Sequence, residues 1–224
     1  MTDKNGRSNG NYRFGGSLSF SRYAAMQKSR IFPLMAFLAL FAASQAFGQG
    51  IGPDATGKLP PVSQPPWPEK IPGYTQVDPE TGLHMTGTPQ LIELASYRLK
   101  VTGNVDRSLS LSFDDLRRMP RIGSRPTIIC QGYFEDVANW AGASMAALLD
   151  RAGVRASAHE VDMVCADGYT ASITLAQARS PDAYLAYELE GKLIPVLQGF
   201  PLRAILPSLA GYDWAKWVVE IHVK

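Results

Sequence analysis

The chain has 224 residues, 46% of them hydrophobic and 19% charged. Those proportions exclude a disordered chain and fit one globular domain with extensions. A formal charge of +2 is too small to hold a phosphate backbone, so no nucleic acid is expected as a partner.

The first 48 residues read as an arm. Arg7, Arg13, Arg22, Lys28 and Arg30 stand there with Asp3 as the one acid. The run "IFPLMAFLALFAA", 31–43, carries no charge and is shorter than the roughly 20 residues of a comfortable membrane span. A basic flank precedes it, and Ser44-Gln45-Ala46 and then Phe47-Gly48 follow. This is the layout of a secretory signal peptide cleaved near Ala46 or Gly48, or of an uncleaved anchor over 31–46. A periplasmic or otherwise exported protein is expected. No pair of adjacent arginines precedes the apolar run, so a twin-arginine signal is not evident.

Residues 49–87 hold many of the sixteen prolines and show no sustained apolar period. They predict an extended arm or linker that buries no core by itself. The folded domain is expected over 88–224.

Within it, Tyr97-Arg98-Leu99-Lys100-Val101 alternates like a half-buried strand and Gly103-Asn104 ends it. Ser112-Phe113-Asp114-Asp115 resembles a capping box opening a short helix that Pro120 stops. "PTIIC", 126–130, predicts a strand. Met145, Leu148, Leu149 and Ala152 lie on one helical face, between Ser144 as N-cap and Gly153 as stop. Val161, Met163 and Cys165 alternate, and Asp167-Gly168 turns the chain into Tyr169, Ala171 and Ile173, a hairpin. Thr174 and Gln177 repeat the capping-box pattern before a short helix closed by Pro181. Glu190-Gly191 is a tight turn, and "RAILP", 203–207, and "WVVEIHV", 217–223, complete the strands. Short strands with a few short helices, in no βαβ order, predict an α+β fold with mixed or antiparallel sheets.

His84, His159 and His222 are not spaced with one another, or with cysteine, as zinc requires. No glycine-rich phosphate loop and no Ser-centred nucleophile elbow is present. The two cysteines are more informative. Cys130 ends the strand in "TIICQGY", and its pairing leaves three readings open: a disulfide to Cys165, a small buried hydrophobe, or a thiolate placed to hold something. In "LQGFPLRAILP", Gly199 and Pro201 place Gln198 and Arg203 on either side of a tight bend. "GYDWAKW" leads through Lys216 into the last strand. Arg203 and Lys216 either converge on one anion, a guanidinium fork beside a point charge, or are separate surface charges.

Taken in series, "YRLKVTGNVDRSLSLSFDDLRRMP", "CQGYFEDVANWAGASMAALLDRAGV", "ADGYTASI", "LAYELEGKLIP", "GFPLR" and "GYDWAKWVVEI" resemble the molybdopterin-binding domain of the sulfite-oxidase family, which includes catalytic subunits of periplasmic methionine-sulfoxide reductases. The resemblance runs from about Leu91 to Val223. It implies the sulfite-oxidase-type fold and a molybdenum-bearing molybdopterin, with Cys130 as the thiolate on the metal; a thiolate is a soft donor suited to such a metal. It places Arg203 as a cofactor-binding arginine and Gln198 where the family has His or Asn. It assigns the phosphate end to Trp214, Ala215 and Lys216, a further contact to Thr170, and leaves Cys165 in the core. The implied activity is two-electron oxygen-atom transfer on a small-molecule substrate. Electrons would pass to or from a haem-containing or membrane partner, since no CxxCH motif is present.

Proximity to Cys130 nominates Tyr133, Glu135 and Asp136 for the substrate-side wall, Tyr133 and Asp136 as candidate catalytic residues. Sulfite oxidases carry arginines after the cysteine; acids there repel an anion, so sulfite is not the expected substrate. The competing expectation is a cofactor-free periplasmic binding or scaffold domain on the same fold.

Overall fold

The computed structural model describes residues 50–224. The basic arm and the apolar run lie outside the described residues, with the export and anchor expectations built on them. Among the described residues, no helix is long and apolar enough to cross a membrane.

The strands in chain order are β1 Leu99–Gly103, β2 Leu109–Leu111, β3 Arg121–Ser124, β4 Thr127–Cys130, β5 Phe134–Val137, β6 Trp140–Ser144, β7 Glu160–Cys165, β8 Thr170–Thr174, β9 Tyr184–Leu189, β10 Lys192–Leu193, β11 Arg203–Ile205 and β12 Val218–Val223. One five-stranded sheet runs β2-β1-β12-β7-β8. A second runs β10-β9-β6-β3, with β11 also on β9. The pair β4–β5 stands apart as a hairpin. The β1–β12 pairing is parallel and the others are antiparallel, so the architecture is α+β with mixed sheets.

Local chemistry explains most of these elements. In β7 and β8, Val161, Met163, Cys165, Ala171 and Ile173 face the core while the residues between them face outward. β9 is buried along its whole length, as a strand flanked by neighbours and covered on both faces must be. Helix α1, Phe113–Arg117, starts with reciprocal hydrogen bonds between Ser112 and Asp115. Helix α3, Leu175–Ala178, starts with the same device made from Thr174 and Gln177. Helix α2, Met145–Ala152, has Ser144 accepting from the Ala147 N–H, and Gly153 ends it at φ 70°. Its Met145, Leu148, Leu149 and Ala152 are fully buried. Such a Leu or Met is worth about 1.5–3 kcal/mol relative to exposure.

Four strands gave no signal that the sequence reading used: β2, β3, β5 and β6. In β6, "WAGAS" is poor in β-formers, yet small residues are what the site demands. A Cβ on Gly142 would come within 1.9 Å of the Leu185 carbonyl oxygen on β9.

The arm does not hang free. It buries no core alone, but it completes the domain's. Leu83 and Met85 are buried, and Ile51 and Val62 pack on the core. Arg117 donates from Nε to the Ile51 carbonyl (2.7 Å) and from Nη2 to the Pro60 carbonyl (2.6 Å). Buried Glu188 accepts from the Ile51 N–H (3.2 Å) and holds Arg121 through both oxygens. Between Thr75 and Met85 the arm forms a small hairpin: the Thr75 N–H donates to Met85 O, Met85 N–H to Gln76 O, and Asp78 N–H to Leu83 O.

Candidate functional site

The β4–β5 hairpin has two faces. Cys130 pairs with Phe134 and Ile128 with Asp136; these four look inward, while Thr127, Ile129, Glu135 and Val137 are exposed. Cys130 is half-buried and reaches a cavity of about 200 Å³. Arg203, Trp214, Ala215 and Lys216 line the same cavity. The cysteine and the two cations therefore meet in one space.

Glycine brings the cations together. Gly199 has φ 110°, and a Cβ there would lie 3.1 Å from the Lys216 Cβ and 3.2 Å from the Arg203 Cβ. Arg203, 5% exposed, donates from Nη1 to Gln198 Oε1 (3.0 Å) and sits 4.9 Å over the Trp140 ring. Its Nε has no partner. Burial pushes its pKa down to about 10, with Asp136 opposing. Lys216, 6% exposed, donates to the carbonyls of Thr86 (3.2 Å) and Leu197 (3.1 Å). Burial, and next the neighbouring Arg203, hold its pKa well below the ordinary lysine value. Among the described residues neither cation has a salt-bridge partner. Buried charge without a counter-ion is costly, and an orphaned guanidinium N–H adds to that cost. An anion in the cavity relieves both.

The remaining nominated residues divide. Gln198 is fully buried and orients Arg203. Trp214 donates its ring N–H to the Leu209 carbonyl, and Ala215 O accepts from the Ala204 N–H, so both are fixed by backbone. Thr170 is exposed on β8 and does not line the cavity; its neighbours Asp167 and Tyr169 do. Tyr133 is 73% exposed at the hairpin turn, also off the cavity wall.

Asp136 departs from the role proximity gave it. It is buried, and both oxygens are occupied: Oδ1 meets His84 Nδ1 at 2.7 Å and Oδ2 accepts from the His84 N–H at 2.8 Å. Glu135 is exposed on the other face. Neither stands as a free acid on the cavity wall. Both cysteines are free thiols, which sets the disulfide aside. Cys165 is buried, and burial raises its thiol to about 12.

The sequence reading missed the cavity wall supplied by Tyr74, Thr86, Gly87, Tyr212 and Trp217. Gly87, at φ 76°, leaves no room for a side chain: a Cβ would lie 2.6 Å from the Trp217 ring. A larger cleft of about 600 Å³ lies between residues 59–64 and α1. Its buried cation, Arg117, is already saturated by Asp114, Ile51 and Pro60, so size does not make it the site.

These residues fit a thiolate-bound metal whose chelate carries an anionic tail. The donor set is one soft sulfur on one wall, with two under-partnered cations on another.

Comparison with known proteins identifies the family. The family model described as the oxidoreductase molybdopterin binding domain matches residues 85–224. YuiH of Bacillus subtilis, an uncharacterised oxidoreductase, is 30% identical over 141 residues, 62% of this chain and 71% of that protein. YedZ1 of Azospira oryzae, provisionally named as a protein-methionine-sulfoxide reductase subunit, is 29% identical over 132 residues, 59% of this chain and 50% of that one. Human mitochondrial sulfite oxidase is 34% identical over 160 residues, 58% of this chain but 29% of its own. The chain thus spans about half or less of YedZ1 and sulfite oxidase. The sulfane dehydrogenase SoxCD of Paracoccus pantotrophus shares the fold, with a TM-score of 0.58 at 22% identity over 87% of this chain and 59% of that one. The fold is of the sulfite-oxidase type, and the chain belongs to the oxidoreductase molybdopterin-binding domain family, whose cofactor is the molybdenum-bearing pterin.

Proposed function

We propose that the protein is an exported oxidoreductase that holds molybdenum through Cys130 and exchanges an oxygen atom with a small neutral substrate in a two-electron reaction. The observation that carries this reading is the meeting of Cys130, Arg203 and Lys216 in one cavity.

The bound molybdenum supplies the redox chemistry; the chain supplies the binding and the walls. Cys130 offers its sulfur from the inward face of the hairpin. Arg203, its Nη1 held by Gln198, keeps Nε free to donate. Lys216 adds charge from between two carbonyls, and Trp214, Ala215 and Trp217 exclude water from the cations. Burial strengthens each charge-assisted contact to an anionic tail.

Sulfite is disfavoured, for a reason that differs from the acids after Cys130. Tyr74, Tyr169, Tyr212 and Asp167 stand at the cavity wall. Tyr74 and Tyr212 are 71% and 68% exposed. Among the described residues its only cations are the two buried ones assigned to the cofactor. This surround suits a neutral thioether or sulfoxide better than a dianion. The basic flank and the apolar 31–46 run support export. The electron partner in this reading is a haem-containing or membrane protein.

The test is elemental and pterin analysis of protein purified from its own host. One molybdenum and one pterin per chain are expected. Cys130→Ser should keep the circular dichroism spectrum while molybdenum and dye-linked sulfoxide turnover fall to background. Metal-free, pterin-free native protein would instead mark a binding or scaffold domain.

A further inference from the structure

The arm hairpin Thr75–Met85 lies between two cavity-lining stretches, Tyr74 and Thr86-Gly87, and contacts both the cofactor loop and the cysteine hairpin. Its turn reaches the cofactor loop: Thr81 Oγ1 bonds Asp78 Oδ2 (2.7 Å) and accepts from Gln198 Nε2 (3.4 Å). Its last residue, Met85, packs with Leu197 and Trp217, and the next carbonyl, Thr86 O, accepts from Lys216. Its return strand is held by the cysteine hairpin. The His84 ring stacks on Phe134, centroids 4.4 Å apart and 7° from parallel, while Asp136 takes both the His84 backbone N–H and Nδ1. Phe134 pairs with Cys130 across β4–β5. Residues 75–84 all precede the stretch matched by the family model, which begins at residue 85.

We propose that His84 and Asp136 are positioning residues: they latch the arm hairpin across the pterin cavity and so retain the cofactor. The proposal rests on the cofactor reading above. Asp136 suits the task because a buried carboxylate offers two acceptors, and His84 presents two N–H groups to them. Phe134 adds an apolar face on which the imidazole lies flat. The acid near the cysteine thereby holds the arm, besides the charge it sets near Arg203 and Lys216.

Two substitutions separate latch from scaffold. Asp136→Leu keeps the bulk and removes both acceptors, so both bonds to His84 are lost. His84→Phe keeps the ring stack and loses the Nδ1 contact. Two readouts apply to the full chain. The first is hydrogen–deuterium exchange of the Thr75, Asp78 and Met85 amides in protein stripped of pterin. The second is release of pterin from loaded protein after dilution, read by fluorescence of the oxidised pterin.

Each variant should speed both by about tenfold or more, as loss of an outer-shell partner does at other metal sites. Exchange in β6 and β9 should not change. The double variant should be no faster than the faster single one, because both open one latch. Unchanged hairpin exchange, or fully additive effects, would overturn the latch. Native protein without pterin would sink the cofactor reading and the retention claim with it. The exchange arm would then still decide whether these two side chains close the hairpin.

Discussion

Arg117 and Arg203 are both nearly withdrawn from water, at 2% and 5% exposure, and they teach opposite lessons. Every nitrogen of the Arg117 guanidinium has a partner in this chain: Ile51 O, Asp114 Oδ1 and Pro60 O. It staples the arm to α1. Arg203 has Gln198 on Nη1, an indole face nearby, and nothing on Nε. A second buried cation, Lys216, shares its cavity. A buried arginine satisfied from within the chain is structural; one left under-satisfied beside another cation keeps a donor free for a bound anion.

The comparison breaks if the same substitution has the same consequence at both sites. Arg203→Met should lower pterin content to background, the loss expected when a charge-assisted donor to a buried anion is removed. The stability of the pterin-free protein should move by less than about 1 kcal/mol, because an uncompensated buried charge goes with it. Arg117→Met should do the reverse. Two arm carbonyls lose a charged donor, so pterin-free stability should fall by about 2–3 kcal/mol, with pterin content per folded chain unchanged. Urea unfolding and pterin analysis on the same preparations give both halves. Equal pterin loss at the two sites would mean that Arg203 is a staple as well.

What could be read from the sequence follows the same division between local and distant causes. Ser112 with Asp115, and Thr174 with Gln177, are three residues apart, and their caps formed as their spacing predicts. The stripe from Met145 to Ala152 and the turn at Asp167-Gly168 are equally local. Asp136 was misplaced because its partner, His84, lies 52 residues upstream; nearness to Cys130 in sequence puts it on the inward face but says nothing about what occupies its oxygens. Thr86 and Gly87 were lost within a Pro/Gly-rich arm whose composition describes its flexibility as a free chain, not its docking. β6 was lost because contact with β9 overrides the weak propensity of Ala-Gly-Ala. The convergence of Arg203 and Lys216, left open by the residues alone, required knowing that Gly199 lets their backbones approach.

The smallest effect is also the most direct probe of where the proposed anionic tail binds. Burial, then Arg203, depress the pKa of Lys216 in the folded chain; unfolding restores it toward about 10.4. Over the window between those values the unfolded chain binds more protons than the folded one, so the stability of pterin-free protein rises with pH there. Below the window the full cost of the buried ammonium is present. Tyr97, Tyr184 and Tyr187 are pushed up by burial and act in the opposite sense near pH 10, so urea midpoints are best compared between pH 7 and about 9.5, with Lys216→Met as the reference. Native protein minus that reference should gain stability as pH rises across the range, by no more than about 1.4 kcal/mol per pH unit for one proton. With pterin bound, its anionic tail favours the ammonium and the gain should vanish. A slope that is the same with and without pterin would place the anion elsewhere and return Lys216 to the ordinary role of bridging the Thr86 and Leu197 carbonyls.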